Sequence, residues 1–412
     1  MLGLKIENKL HQKKKNVPPS LFIIGALGIG GCSIIVEAED SSTNHVYALK
    51  IIEKKRPPRR QELERLCSEL VALQLPKSPF LLHAYSCFES NSHIFFLVDR
   101  IRGGDLFSHL GDLCARGADK GFSEHQACIL LADVVVAIQK LHEYGLVHRD
   151  IKAENVMLDL EGRVVLIDFG FACKIGTITG HCGSLPYMAP ETLGSAEDTL
   201  IKAGTKVTAG VGEDWWAFGI LAHELLCGRT PWQSRDKGLR KEILTTTVVP
   251  PRRLNKQAAD MITAFLNPDV TNRLGCGEDD IRQHPFFKGV DWEAVEQRKA
   301  NTAITPHPAC GELSQADADF VLKKYREMST EAREAYEKGA STTKDGENVT
   351  VSDGGEWSFG VPHIDFYPDM HPRMTASQNT MFSIKTTASR AGSRAASGGS
   401  TASSSSSHGM KI

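Results

Sequence analysis

Short apolar runs separated by polar breaks fill the first quarter of the chain. Leu21-Phe22-Ile23-Ile24 opens as a strand. Val46-Tyr47-Ala48-Leu49-Lys50-Ile51-Ile52 reads as a second strand interrupted by one charge, and alternation puts Ala48 and Lys50 on the same face. Ile94-Phe95-Phe96-Leu97-Val98 is another strand, broken after Val98 by Asp99-Arg100 and the glycine pair Gly103-Gly104. Between these runs the period changes. Leu63, Leu66, Leu70 and Leu73 recur at spacings of three and four, which predicts an amphipathic helix ending at Pro76. Glu69 lies on the edge of that stripe, where a carboxylate wants a cation partner, and Lys50 is the natural one.

Helical spacing dominates the rest. Leu130, Val134, Ile138 and Leu141 predict a long buried helix, opened by Ser123 with Gln126 reaching back in a capping box. Asp214-Trp215-Trp216-Ala217-Phe218-Gly219 opens a second, continuing through Leu221 and Leu225. The Gly-rich stretch from Gly111 to Gly121 reads as a surface insertion, and Thr192 to Gly212 as a Gly- and Thr-rich one. A β-rich first part and a mainly helical second part make an α+β fold.

The polar residues that interrupt this pattern carry the chemistry. His148-Arg149-Asp150-Ile151-Lys152-Ala153-Glu154-Asn155 precedes the apolar strand Val164-Val165-Leu166-Ile167, which delivers Asp168-Phe169-Gly170. The two pieces read as one phosphoryl-transfer site. Asp150 positions a hydroxyl and accepts its proton, and Lys152 neutralises the travelling phosphate. Asn155 and Asp168 are hard oxygen donors suited to Mg²⁺. Three residues such as Asp168-Phe169-Gly170 match by chance; the loop, strand and second Asp in order do not. A buried charged loop without chemistry is the bland alternative. Upstream, Gly28-Ile29-Gly30 lets backbone approach phosphates. A hairpin with no ligand would look the same, and no Gly-Lys-Ser/Thr follows to suggest a P-loop.

Composition narrows the setting. The 412 residues suffice for two or three compact units, and 48 Lys+Arg against 50 Asp+Glu give no global field for nucleic acid. No apolar run reaches the ~18 residues of a transmembrane segment. The 10 Cys show no CxxC pair, as expected of reduced thiols in a cytosolic chain. The Asn348-Val349-Thr350 sequon is read as a surface loop. A basic lead-in carries Lys13-Lys14-Lys15, and from Thr375 the chain is Ser/Ala/Gly/Thr-rich and expected to be disordered.

The loop from His148 to Asn155 and Asp168-Phe169-Gly170 resemble the catalytic and metal-binding loops of eukaryotic protein kinases. The resemblance covers about residues 20 to 288 and implies a two-lobed fold using ATP and Mg²⁺. It implies a flexible segment 1–19, a small lobe 20–104 with one regulatory helix, a large lobe 105–288, an extension 289–374 and a tail 375–412. Catalytic residues would be Asp150, Lys152, Lys50 and Glu69. ATP would meet Gly28, Gly30, Ser33, Ile35, Ala48, Lys50, Asp105 and Met157, with metal on Asn155 and Asp168. Two positions depart from the pattern: Ser33 replaces the third glycine, and Cys32 the aromatic tip. Val98 would guard the back of the adenine pocket, and Asp105 would approach the ribose. His148 would pack under Phe169 rather than act as a base. Ser184 favours Ser/Thr substrates, and Glu191 and Arg273 would form a buried structural pair. Gly103 to Leu110, Phe171-Ala172, and Val290-Asp291-Trp292 with Gln297-Arg298-Lys299, Pro306 and Pro308 resemble the AGC group. Its hydrophobic motif is not evident, since Phe320 and Tyr325 read as scattered aromatics. Glu154, Glu224 and Asp105 imply preference for Arg before the target residue. Arg149 implies a phosphate acceptor in the activation segment. Gly180 occupies the position the group phosphorylates, which turns attention to Thr179, then Thr177, and leaves an upstream activating kinase open as a partner. The expected location is cytoplasmic, with nuclear access possible. A scaffold without catalysis is the alternative, but it has no chemical need for Lys50, Glu69, Asp150, Asn155 and Asp168 together. A small-molecule phosphotransferase would not need Glu191, Arg273 and the Ser184 segment.

Overall fold

The computed structural model describes residues 21–337, apart from 31–32, 41–42, 55–59, 90–92, 116–120, 195–205, 209, 233, 235–236, 278–279, 301, 303 and 307–312, and in addition 384–385. Expectations for the basic lead-in, the loop tip at Gly31 and Cys32, Asn348 and most of the tail lie outside the described residues. The small lobe contains β1 (Leu21–Ile29), β2 (Ser33–Asp40), β3 (Val46–Glu53), α1 (Arg60–Leu73), β4 (Ala84–Glu89) and β5 (His93–Asp99). The large lobe contains α2 (Leu106–Ala115), α3 (Glu124–Glu143), β6 (Leu146–Val147), β7 (Val156–Leu158), β8 (Val164–Leu166), β9 (Cys173–Lys174), β10 (Ile178–Gly180), α4 (Pro190–Leu193), β11 (Lys206–Thr208), α5 (Val211–Cys227), α6 (Lys237–Thr245) and α7 (Lys256–Phe265). The extension adds α8 (Trp292–Glu296) and α9 (Gln315–Glu337), and Ile384–Lys385 forms β12.

The small-lobe sheet has the order β12-β1-β2-β3-β5-β4. Neighbours from β1 to β4 are antiparallel, and β12 adds in parallel beside Gly28 and Ile29. A short paired strand therefore lies inside the tail expected to be disordered. Pairing with β12 covers part of the outer edge of β1, at Gly28 and Ile29.

Period-2 alternation gives the sheet two apolar faces. Leu27, Ala48 and Val98 belong to the core continuous with the large lobe. Ala26, Ile34, Val36, Leu49, Ile51, Phe95 and Leu97 point the other way, and Ala318, Val321, Leu322 and Tyr325 of α9 pack on them. Tyr325 is thus a core residue, not a scattered aromatic. The helix is opened by Ser314, whose hydroxyl accepts from the Asp317 N–H at 3.2 Å.

In the large lobe α3 is buried along most of its length, and Ser123 and Gln126 form the expected capping box. Helix α5 crosses the core beside α7. Gly219 permits the approach, because a Cβ there would meet Leu266 Cδ2 at 2.7 Å and Phe265 Cβ at 2.8 Å. The stretch from Gly111 read as an insertion is helical as far as Ala115, because Leu106, His109 and Leu110 anchor α2 against the core. The extension begins docked to this lobe. Trp292 packs against Phe287, and Arg163 donates to Ala300 O at 3.1 Å and to Asp133 at 2.6 Å. Among the described residues no helix is long and apolar enough to cross a membrane.

Candidate active site

The short strand β6 ends at Val147 and feeds the loop from His148 to Asn155. Two residues leave ordinary backbone space here, Arg149 at φ 69° and Asp168 at φ 63°. Such conformations persist only where the surroundings over-determine them. For Arg149 the support is Asp214 in the first turn of α5. Its carboxylate accepts from Arg149 N, His148 N and His142 Nε2, each at 2.8 Å. His148 is fully buried, stacks edge-on to Phe169 with centroids 5.4 Å apart, and its Nε2 lies 3.1 Å from Ile167 O. It is a core residue, as the resemblance implies.

This frame presents Asp150. Its Oδ2 accepts from Lys152 Nζ at 2.7 Å and Asn155 Nδ2 at 3.1 Å, and its Oδ1 from Ser184 N at 2.8 Å. Lys152 Nζ also donates to Ser184 Oγ at 2.8 Å. Across the cleft, Lys50 Nζ lies 2.5 Å from Glu69 Oε1 and 3.8 Å from Asp168 Oδ1. Burial works against the Lys50 charge, but Glu69 and Asp168 outweigh it and raise its pKa, so the ammonium persists. Burial likewise disfavours ionised Asp168, yet Lys50, His148 and Lys152 hold its pKa below the usual range. A fixed cation thus sits beside an ionised carboxylate on the cleft wall.

Lys50, Ser33, Gly30, Ile35, Ala48 and Met157 line this cleft, together with Leu27, Leu82, Val98 and Ile167. The walls are apolar and the charged groups gather at one end, an arrangement that suits a flat heteroaromatic ring followed by phosphates. The Asn155 amide nitrogen is engaged by Asp150 O at 2.8 Å, which leaves its oxygen for a cation. Among the described residues no three His, Cys, Asp or Glu converge as a metal cage. Asn155 and Asp168 instead fit an ion that keeps waters and shares phosphate oxygens, as Mg²⁺ does.

Two of the residues assigned to ATP are not brought to the cleft wall. Gly28 is held in β1, paired with Ile35. Asp105, only 2% exposed, accepts from Ser108 N at 2.8 Å and Ser108 Oγ at 2.9 Å. The orphan N–H groups at the start of α2 draw its carboxylate inward.

Below Ser184 lies an acidic corner. Tyr187 OH donates to Glu224 Oε2, and no donor among the described residues reaches the buried Glu154 Oε2. Burial pushes the Glu224 carboxyl up to about 7, and neighbouring Glu154 adds to the rise. Arg273 grips Glu191 through two bonds of 2.7 and 3.0 Å. Sequence reasoning missed Glu213. It pairs with Arg149 at 3.1 Å, so the guanidinium expected to await a phosphate already holds a carboxylate. Its one sequence signal was its place beside Asp214.

These features coincide with what the comparisons find. Residues 22–287 match the protein kinase domain family. The chain is 33% identical over 304 residues to atypical protein kinase C of Drosophila melanogaster, covering 69% of this chain and 47% of that protein. It is 34% identical over 311 residues to protein kinase C-like 1B of Caenorhabditis elegans, covering 72% and 41%. It is 33% identical over 314 residues to protein kinase C epsilon type of Oryctolagus cuniculus, covering 73% and 40%. The chain therefore spans less than half the length of these curated relatives. It belongs to the protein kinase family, AGC type, a domain whose members generally use ATP and a divalent metal.

Proposed function

We propose that this chain is an active kinase that transfers the ATP γ-phosphate, with Mg²⁺, to Ser or Thr of proteins carrying Arg two to three residues before the target. The observation that carries the reading is the assembled constellation: Lys50 between Glu69 and Asp168, with Asp150 oriented by Lys152, Asn155 and Ser184. Asp150 accepts the hydroxyl proton as the oxygen attacks, Lys152 stands by the travelling phosphoryl group, and Lys50 anchors the α- and β-phosphates. Mg²⁺, held by Asn155 and Asp168, would supply neutralisation of phosphate charge. A scaffold would have no use for this register. Transfer measured on an arrayed peptide library tests the reading. Phosphorylated Ser/Thr peptides are the expected result, and tight ATP binding with no transfer to any peptide sinks it.

Specificity follows from the acidic corner. A partnerless buried Glu154 oxygen beside Glu224 suits a guanidinium fork better than a point-like ammonium. The sign with pH is fixed by Glu224. Its pKa of about 7 means that acidification neutralises the group an Arg would pair with. KM for an Arg-bearing peptide is therefore expected to rise as pH falls from 8 to 6, approaching about tenfold per unit below the pKa. The Glu224→Gln variant should be flat and nearly indifferent to that Arg. An Arg-peptide KM independent of pH in the wild type counts against Glu224 as the reader.

A further inference from the structure

Arg149 is the hub of the activation segment. Its side chain is 3% exposed. Nε donates to Glu213 Oε2 at 3.1 Å, one terminal nitrogen to Gly180 O at 2.9 Å, and the other lies 4.0 Å from Cys173 Sγ. One guanidinium thus ties α5 to both β9 and β10. Glu213 is itself fixed. Its second oxygen accepts from Gly210 N at 3.2 Å, in the first turn of α5, where the helix dipole favours a carboxylate. The adjacent Asp214 holds the Arg149 and His148 backbone, so one helical turn sets both the main chain and the side chain of the hub.

The segment has a second tie. Ile178, Thr179 and Gly180 pair antiparallel with Thr208, Val207 and Lys206 of β11, from the insertion that precedes α5. The carbonyl nearest Arg149 belongs to Gly180, which has no hydroxyl to modify. A phosphate on a neighbouring Thr would bring a second anion to a guanidinium already engaged by Glu213, and the two would repel.

We propose that Glu213 serves as a built-in substitute for an activating phosphate: its carboxylate on Arg149, aided by β11, keeps the activation segment in its substrate-ready form without phosphorylation. Glu213 is a positioning residue, and this inference rests on the kinase reading above.

The test uses the full chain, treated with phosphatase and shown by mass spectrometry to carry no phosphate between Thr177 and Ser184. Phosphatase-treated wild type and the Thr177→Ala/Thr179→Ala variant should keep kcat/KM for peptide within about twofold of untreated protein. Glu213→Gln should lower it by about 10- to 100-fold, the range of a lost charged hydrogen bond. Nucleotide affinity should hold at temperatures well below melting, the melting temperature should fall as one side of a buried pair is lost, and Glu213→Asp should recover part of both losses. Hydrogen exchange gives a readout independent of turnover: amides of 178–184 should lose protection in Glu213→Gln and keep it in phosphatase-treated wild type. Activity or protection that vanishes on phosphatase treatment and returns with phosphate on Thr177 or Thr179 overturns the proposal. So does a Glu213→Gln protein with unchanged exchange and peptide kinetics. Should Glu213→Gln not fold, Glu213→Asp carries the kinetic and exchange comparison, and the phosphatase and Thr→Ala arms decide whether phosphate is needed. Nucleotide binding without transfer in every preparation would instead sink the kinase reading, and the exchange arm would still judge Glu213.

Discussion

Replacing Asp150 with Asn is expected to lower kcat by roughly 10²- to 10⁴-fold, the usual worth of a positioned general base. Nucleotide affinity should change little, because Asp150 does not line the apolar cleft. The fold should also survive. The loop is held from below by Asp214, through bonds to His148 N and Arg149 N that the substitution leaves alone. Locally the amide nitrogen would face Lys152 and Asn155 where an oxygen now accepts from both, so some reorientation is expected. Lys50→Met should be comparably inactive for a different reason. It strands Glu69 and Asp168 without their shared cation, so nucleotide binding should weaken together with turnover. Single-turnover kinetics beside a nucleotide titration separates the two variants. An Asp150→Asn enzyme retaining more than about a tenth of wild-type kcat would remove Asp150 from the role of proton acceptor.

The parts of the site legible in the sequence are those whose partners are close along the chain or forced by alternation. Asp150, Lys152 and Asn155 share one loop, and an apolar run of fixed length delivers Asp168 to it. Lys50 and Glu69 were paired because each is a charge on an otherwise apolar face, and such charges seek each other. Glu213 had no such signal. It is separated from Arg149 by 64 positions, and in isolation it is an ordinary acidic residue in a first helical turn. Only the crossing of α5 beneath the catalytic loop gives it a partner. Helix α9 failed for another reason. Ala318, Val321, Leu322 and Tyr325 do recur at helical spacing, but the prominent Phe320 lies off that stripe and is 51% exposed. Which surface the stripe covers is a tertiary fact, set by the bare outer face of the small-lobe sheet. For Asp105, nearby helix N–H groups outcompeted the cleft, a local competition that a motif match does not weigh.

The second large effect is expected on stability. Arg273 is 1% exposed and uses its whole fork. It donates to both Glu191 oxygens, to Gly212 O at 2.7 Å and to Asn267 O at 3.0 Å, with its guanidinium carbon 5.1 Å from the centre of the Trp216 ring. Arg273→Ala removes all of these and opens a cavity beside Trp216. Breaking a buried pair from one side usually costs about 3–5 kcal/mol. The Glu191 side chain is 32% exposed and can recover water, which places the expected loss near the lower end. Arg273→Lys should lie between, since an ammonium replaces the fork by one point charge. Urea denaturation of the three proteins measures the series. The loss should also reach the substrate side, because Glu191 closes the segment that carries Ser184 and Tyr187. Peptide KM is therefore expected to rise in Arg273→Lys while nucleotide KM stays constant. A loss below about 1 kcal/mol for Arg273→Ala, the scale of an exposed ion pair, would mean that α4 is held to the lobe by its apolar contacts through Thr192 and Leu193 rather than by this fork.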